Sequence, residues 1–265
     1  MRPVVAGKGT ESGRVRGALE GRVALVAGGA GEVGEGVVRT LLGAGATVVV
    51  PSRSWERLEA LAARLEPGLR ARLEAHELAV GTPEGAAELR RRIEPRGRLD
   101  LVVASLGGWW RGGPLTEVSL DTWRRILDDN LTCHFVVART FLPLVVASGG
   151  SYVLVNGAAS RIPVAGSGPV SVAASAQIML KDVLVAETRG TAARVCTLVI
   201  DTPVRTRSRP DGGPEWLSAE EVGELVLWVS SASGVEAAGA NVPLDRRTLE
   251  WVRRHGWDER PAPSP

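Results

Sequence analysis

The stretch Ala27-Gly28-Gly29-Ala30-Gly31-Glu32-Val33-Gly34 constrains this chain more than any other feature of it. It follows directly on an apolar run at 22–27 and opens a segment, 33–42, whose apolar residues recur at helical spacing. Glycines in a strand–turn–helix junction have mechanical jobs: one permits the tight turn, one lets backbone N–H groups approach a pyrophosphate, and one seats the helix on the strand. The helix N-terminus, with its unsatisfied N–H groups, then favours an anion. Read as GxxGxxG, the pattern uses Gly28, Gly31 and Gly34. Read as GxxxGxG, it puts Glu32 in place of the middle glycine. A carboxylate there suits an empty helix terminus and repels a diphosphate unless it turns away.

The rest of the chain repeats the alternation. Apolar runs at 46–50, 76–80, 99–104, 151–155, 195–200 and 240–244 read as strands, and helical patterns at 55–65, 83–93, 120–146, 170–188 and 219–230 fall between them. The 120–146 helix is predicted to break near Pro143. Strands apolar throughout are buried on both faces, and intervening helices supply the crossovers of a parallel sheet. The fold class is therefore α/β: a single doubly wound Rossmann-type domain with a mainly parallel seven-stranded sheet and helices on both faces. The domain is predicted to span 21–250, with a mobile N-terminal tail at 1–20 and a C-terminal tail at 251–265.

At 265 residues, with 44% hydrophobic and 23% charged residues, the chain can bury a core. A net charge of +2 without a clustered basic stripe argues against nucleic acid. Cys133 and Cys196 sit in apolar stretches and read as buried free thiols; His76, His134 and His255 have no zinc spacing, so no metal is expected. No uninterrupted apolar run reaches the length of a membrane span and no secretory core opens the chain, so the expectation is a cytoplasmic protein that binds no membrane.

The second strand ends VVVPSRS. Proteins that bind NAD commonly carry a carboxylate here for the ribose hydroxyls; this chain has Ser52 and then Arg53. Arg53 either pairs with a 2′-phosphate, which favours NADP(H) and leaves NAD(H) possible, or is a surface charge opening the next helix.

From about Leu19 to Asp245 the chain resembles the short-chain dehydrogenase/reductase family. The resemblance is carried by PLTEVSLDTWRRILDDNLTCHFVVARTFLPLV, GGSYVLVNGAAS, GPVSVAASAQIMLKDVLVAE and RVCTLVIDTPVRT. It implies a nicotinamide cofactor, a small-molecule substrate, a homo-dimer or homo-tetramer, and a site of asparagine, serine, tyrosine and lysine. Matched position by position, Asn130 takes the asparagine place, but Gly157 stands for the serine, Val170 for the tyrosine and Ala174 for the lysine. The only tyrosine, Tyr152, lies in an expected buried strand, and Lys8 and Lys181 are the only lysines. The family's Asn-Asn-Ala-Gly after the fourth strand reads Ala104-Ser105-Leu106-Gly107, which leaves Ser105 to face the cofactor.

Carbonyl reduction needs a donor to meet negative charge growing on oxygen. Asn130, Asn156 and Ser171 are the candidate replacements, with Ser160 and Ser175 behind them; each has an equally good structural role, such as bonding its own loop. Trp109 and Trp110 follow the fourth strand at the carboxyl end of the sheet, where ligands bind in open α/β folds. They read as a wall for a flat or apolar ligand, or as core and interface packing. Two functions stay open. One is an oxidoreductase-family enzyme using an altered redox or a non-redox route, such as cyclisation or isomerisation, on an apolar metabolite. The other is a catalytically silent NADP(H)- or metabolite-binding protein acting as sensor or partner subunit.

Overall fold

The computed structural model describes residues 17–255. Strands β1 (Val23–Ala27), β2 (Thr47–Ser52), β3 (Leu73–Glu77), β4 (Leu101–Ala104), β5 (Ser151–Gly157), β6 (Arg194–Ile200) and β7 (Asn241–Leu244) form one sheet in the order β3-β2-β1-β4-β5-β6-β7. Every pairing is parallel. Reversal of strand order between β1 and β4 opens a crevice at their carboxyl ends, where such sheets take ligands.

Helices α1 (Glu32–Gly43), α2 (Trp55–Arg64), α7 (Ala219–Ser230) and α8 (Arg246–His255) cover one face, burying Val37, Leu41, Leu61, Val226 and Leu249. Helices α3 (Pro83–Ile93), α5 (Cys133–Ser148) and α6 (Gly168–Glu187) cover the other with Leu89, Phe141, Val145 and Leu184. Where α1 crosses α7, Gly36 and Gly223 let the two backbones approach closely: a Cβ on Gly36 would lie 2.1 Å from the Ala219 carbonyl carbon. Local signals mark the ends. Ser54, Thr82, Ser119 and Ser218 cap helices with their hydroxyls, and Ser218 with Glu221 completes a reciprocal capping box.

Several predicted boundaries need correction. The third strand starts at Leu73 and not at 76, because its alternation of Leu73 and Ala75 against polar neighbours is that of a sheet edge. The long helix breaks at Asp128–Thr132, a wide turn between α4 (Leu120–Leu127) and α5; Pro143 sits inside α5, which the buried Val136, Val137, Phe141 and Val145 hold against the sheet. The C-terminal tail begins later than predicted: α8 runs to His255 and buries Val252, so 251–255 belong to the domain. At the other end Leu19 packs on the core and its N–H bonds Ala44 O, so 17–20 are not tail either; 1–16 and 256–265 lie outside the described residues. Finally, Leu120–Ser148 and Gly168–Glu187 are, by length and composition, apolar enough to cross a membrane, although charged residues interrupt both runs. Here both are layers of the domain, apolar because they pack on the sheet.

Candidate functional site

The crevice at the β1–β4 reversal is a cleft of about 520 Å³. Its floor is the glycine turn. Gly28 has φ of +89°, which a side chain rarely adopts, and a Cβ on it would lie 2.0 Å from Ser105 O. Gly34 lies beneath the turn, where a Cβ would meet Gly28 O at 2.2 Å, so its task is to seat α1. The first turn of α1 has no side-chain cap, because Gly31 is its N-cap residue. Of the residues the sequence singled out, Gly28, Gly31, Ser52, Arg53, Ser105, Trp109, Trp110 and Asn130 all line this one cleft. Gly34, Asn156 and Ser171 are not among its lining residues.

Sequence reasoning missed Arg57, in the first turn of α2, which lines the same cleft as Arg53; a second arginine just past the Ser54 cap was the available signal. Both guanidiniums are exposed and neither has a carboxylate partner among the described residues. Opposite them, Trp110 is half-buried and Trp109 is 64% exposed at the mouth, beside Arg125, Asp128 and Asp129, which were also missed.

Glu32, at the α1 terminus beside Gly31, is bonded to the turn at 206–208. Its carboxylate accepts hydrogen bonds from Thr206 Oγ1 (2.7 Å), Ser208 Oγ (2.5 Å) and the Ser208 N–H (3.1 Å), with Arg207 at 3.7 Å. The Ser208 and Thr206 hydroxyls hold its carboxyl below the usual carboxylate range.

The candidate proton donors are mostly committed to backbone. Asn130 donates to Ile126 O (3.0 Å) and accepts from the Gly108 N–H (2.9 Å), while Gln177 donates to Asn130 O. These bonds follow from the wide turn, which frees carbonyls that an α-helix would pair; Cys133 Sγ likewise donates to Asp129 O. Asn156 donates to Ala174 O (2.8 Å) and accepts from the Gly157 N–H (2.7 Å), tying β5 to α6. Ser171 accepts from the Val164 N–H, and Ser175 donates to Ser160 O. Ser160 Oγ is buried without a partner.

Helix α6 carries no tyrosine; Val170 and Ala174 are buried, and nothing would obstruct a Cβ on Gly157. Its Lys181 is buried with Nζ on Asp182 (2.6 Å) and Gly239 O (2.8 Å). Tyr152 is fully buried in β5, and burial pushes its phenol far above its ordinary pKa. Burial also raises both thiols, Cys133 and Cys196, to about 12, and both are free. Among the described residues no group of acidic, histidine and cysteine side chains could hold a metal.

The residues fit half of a dinucleotide. Unpaired arginines, a glycine floor and Ser105 suit an adenosine phosphate. Among the described residues, Val170 and Ala174 present only aliphatic side chains to the other half, and the Asn156 amide is bonded to Ala174 O.

Comparison with known proteins agrees with this architecture. Residues 22–212 match the family model of short chain dehydrogenases. The chain is 32% identical over 218 residues to 1-deoxy-11-beta-hydroxypentalenate dehydrogenase of Streptomyces exfoliatus, covering 78% of this chain and 79% of the relative. An uncharacterized NAD-dependent oxidoreductase of Mycobacterium tuberculosis is 27% identical over 194 residues, 62% of this chain and 70% of the relative. Among solved structures, a short-chain type dehydrogenase/reductase from Mycobacterium ulcerans superposes with a TM-score of 0.78 at 22% identity, covering 88% and 91% of the two chains. Carveol dehydrogenase from Mycobacterium avium, solved in complex with NAD, gives 0.74 at 20% identity over 86% and 97%. The fold and the family match define an oxidoreductase-family architecture. The chain belongs to the short-chain dehydrogenase/reductase family.

Proposed function

We propose that the chain binds NADP(H) through the cleft and does not perform carbonyl reduction by a tyrosine–lysine pair. The NADP preference rests on Arg53 and Arg57, two unpaired guanidiniums where a ribose 2′-phosphate would sit, and on Ser52 ending β2 where a carboxylate would hold the free hydroxyls; the neighbouring Glu77 carboxylate accepts from the Trp55 N–H. The nicotinamide ring, when bound, supplies hydride transfer. This chain's own residues must then supply the proton, and the observation that carries the reading is that they are otherwise engaged. Val170 and Ala174 occupy the tyrosine and lysine places with aliphatic side chains, and the amides of Asn130 and Asn156 are bonded to backbone. Losing general acid catalysis costs about 10²–10⁴-fold in rate. The conclusion is an adenine-nucleotide-binding member of the family that senses NADP(H) or a small apolar metabolite held between Trp109 and Trp110.

A second reading has one observation in its favour: Ser160 Oγ is buried without a partner at the end of β5. Together with Ser167 Oγ, likewise buried without a partner at the start of α6, it is a hydroxyl left for an altered reaction on such a metabolite. Exposed Phe135 on α5, with Val172, Met179 and Val183 along one side of α6, supports a homo-oligomer.

Titration with NADPH and NADH, followed by nicotinamide fluorescence, tests the first claim. Tighter NADPH binding supports it, and no binding at millimolar cofactor defeats it. Val170→Tyr, Ala174→Lys and Gly157→Ser introduced together test the second, and gain of carbonyl reduction supports it. Carbonyl reduction at an ordinary rate by the unaltered protein would refute it, and its loss in Ser160→Ala would favour the second reading.

A further inference from the structure

Resting on the reading of the cleft as an NADP(H) site, we propose that Glu32 is a latch that sets which part of that nucleotide the protein accepts: closed, the cleft takes the adenosine 2′-phosphate half, and a pyrophosphate enters only when Glu32 lets go of the segment at 201–209.

Three observations carry this. Glu32 is the first residue of α1, adjacent to Gly31 in the cleft floor, so its negative charge stands at the terminus whose open N–H groups would meet a diphosphate. Its carboxylate is not a free side chain able to swing aside. Two hydroxyls and one N–H of the 206–208 turn converge on it, and Arg207 also reaches Glu35 at 3.1 Å. That turn is itself closed by paired backbone bonds between Thr206 and Arg209 and is tied to Leu217 through the Arg205 N–H, so it moves as a unit.

The segment has a second tether. Asp201, at its start, bridges to Arg161 in the connection between β5 and α6. The segment therefore spans from α1 to the β5–α6 connection across the carboxyl ends of the central strands, on the side away from Arg53 and Arg57. The lining of the cleft agrees: it takes in the Arg53 side, the Ser105–Trp110 loop and the glycine floor, and includes neither Asn156 nor any residue of α6 or of 201–209. A pyrophosphate at the α1 terminus would bring like charge against Glu32, and relief requires breaking the bonds to Thr206 and Ser208. A nucleotide that ends at the adenosine meets none of this.

The test compares two probes, adenosine 2′-monophosphate and NADPH, by calorimetric titration of wild type, Glu32→Gln and Glu32→Gly. Removing the charge should tighten NADPH by roughly tenfold, the size of one relieved like-charge contact near a helix terminus, and leave adenosine 2′-monophosphate unchanged. Glu32→Gln preserves shape, so its folding is secure, and Thr206→Val with Ser208→Ala removes the catch from the other side and should act in the same direction. Hydrogen exchange gives a second readout. NADPH should deprotect the Ser208 amide in wild type, and adenosine 2′-monophosphate should not. An unchanged affinity ratio between the probes in both Glu32 variants overturns the latch while leaving the nucleotide site standing. Failure of both probes to bind any variant overturns the site and the latch together.

Discussion

Placement of the glycine turn depends on how closely α1 approaches α7, and one pair of substitutions in a single helix isolates that approach. Gly36 and Gly43 both belong to α1. A Cβ on Gly36 would lie 2.1, 2.3 and 2.5 Å from the carbonyl carbon, carbonyl oxygen and Cβ of Ala219, and the obstacle is backbone at the start of a capped helix. Ordinary contact needs about 3.4 Å or more, so one helix must retreat by roughly an ångström, and overpacking of that kind costs about 1–3 kcal/mol. Against this, alanine gains about 0.5–1 kcal/mol over glycine in a helix. The net for Gly36→Ala is a loss of about 1 kcal/mol, or about 2–4 °C in melting temperature for a domain of this size. Gly43→Ala meets nothing within 4 Å at an ordinary φ, so the same substitution should stabilise by about 0.5 kcal/mol and raise the melting temperature by 1–2 °C, as about 2–4 °C accompanies each kcal/mol. Thermal unfolding followed by circular dichroism distinguishes the two signs. If Gly36→Ala melts no lower than wild type, or Gly43→Ala falls as far, the close crossing is not what seats α1.

Three further outcomes follow from the same geometry. His134 is fully buried, and desolvation lowers its pKa to about 4, below its unfolded value near 6.5. The unfolded chain binds the proton first, so stability is full above pH 6.5 and falls by up to about 3 kcal/mol as pH drops toward 4. The half-buried His76 shifts the same way and adds to the loss, and denaturant titrations at pH 7 and 5 should lose most of the difference in His134→Phe. Tyr152→Phe removes a buried hydroxyl that has no partner and should raise stability by about 1 kcal/mol; a lower melting temperature would mean the hydroxyl is satisfied after all. Arg53→Ala should weaken NADPH about 10–100-fold while leaving NADH within twofold, the signature of a lost phosphate contact, and an equal loss for both would place Arg53 elsewhere.

Much of this was legible in the sequence because it is written in local pattern. Unbroken runs such as Val48-Val49-Val50 mark strands covered on both faces, and the glycine turn marks where the first helix begins. Gly28, Gly31, Ser52, Arg53, Ser105 and both tryptophans were found because each follows a strand at its carboxyl end, which is where the crevice had to form. What escaped is decided by partners far away in the chain. Nothing near Asn156 announces that Ala174 O will take its amide, and nothing near Glu32 announces Thr206 and Ser208, over 170 positions on. The break in the long helix was assigned to Pro143 because proline is the visible breaker; the Asp-Asp-Asn-Leu-Thr segment that widens the helix has no equivalent mark.

That widened turn has a consequence for how the chain tolerates length change. Each residue advances an α-helix by about 100°. The surplus residue accommodated at Asp128–Thr132 thus acts as a phase shifter on a rod that otherwise runs from Leu120 to Ser148. Deleting one residue there would leave a smoother helix and rotate its two ends out of step by about a quarter turn. Either Arg125 and Asp128 would swing off the rim of the cleft, or Phe141 and Val145 would turn from the sheet toward water. An insertion at Gly113–Pro114, in exposed loop past the Gly112 N–H bond to Gly166 O, turns no helix face, so this family member should accept added length there and refuse a single subtraction at Asp128–Thr132.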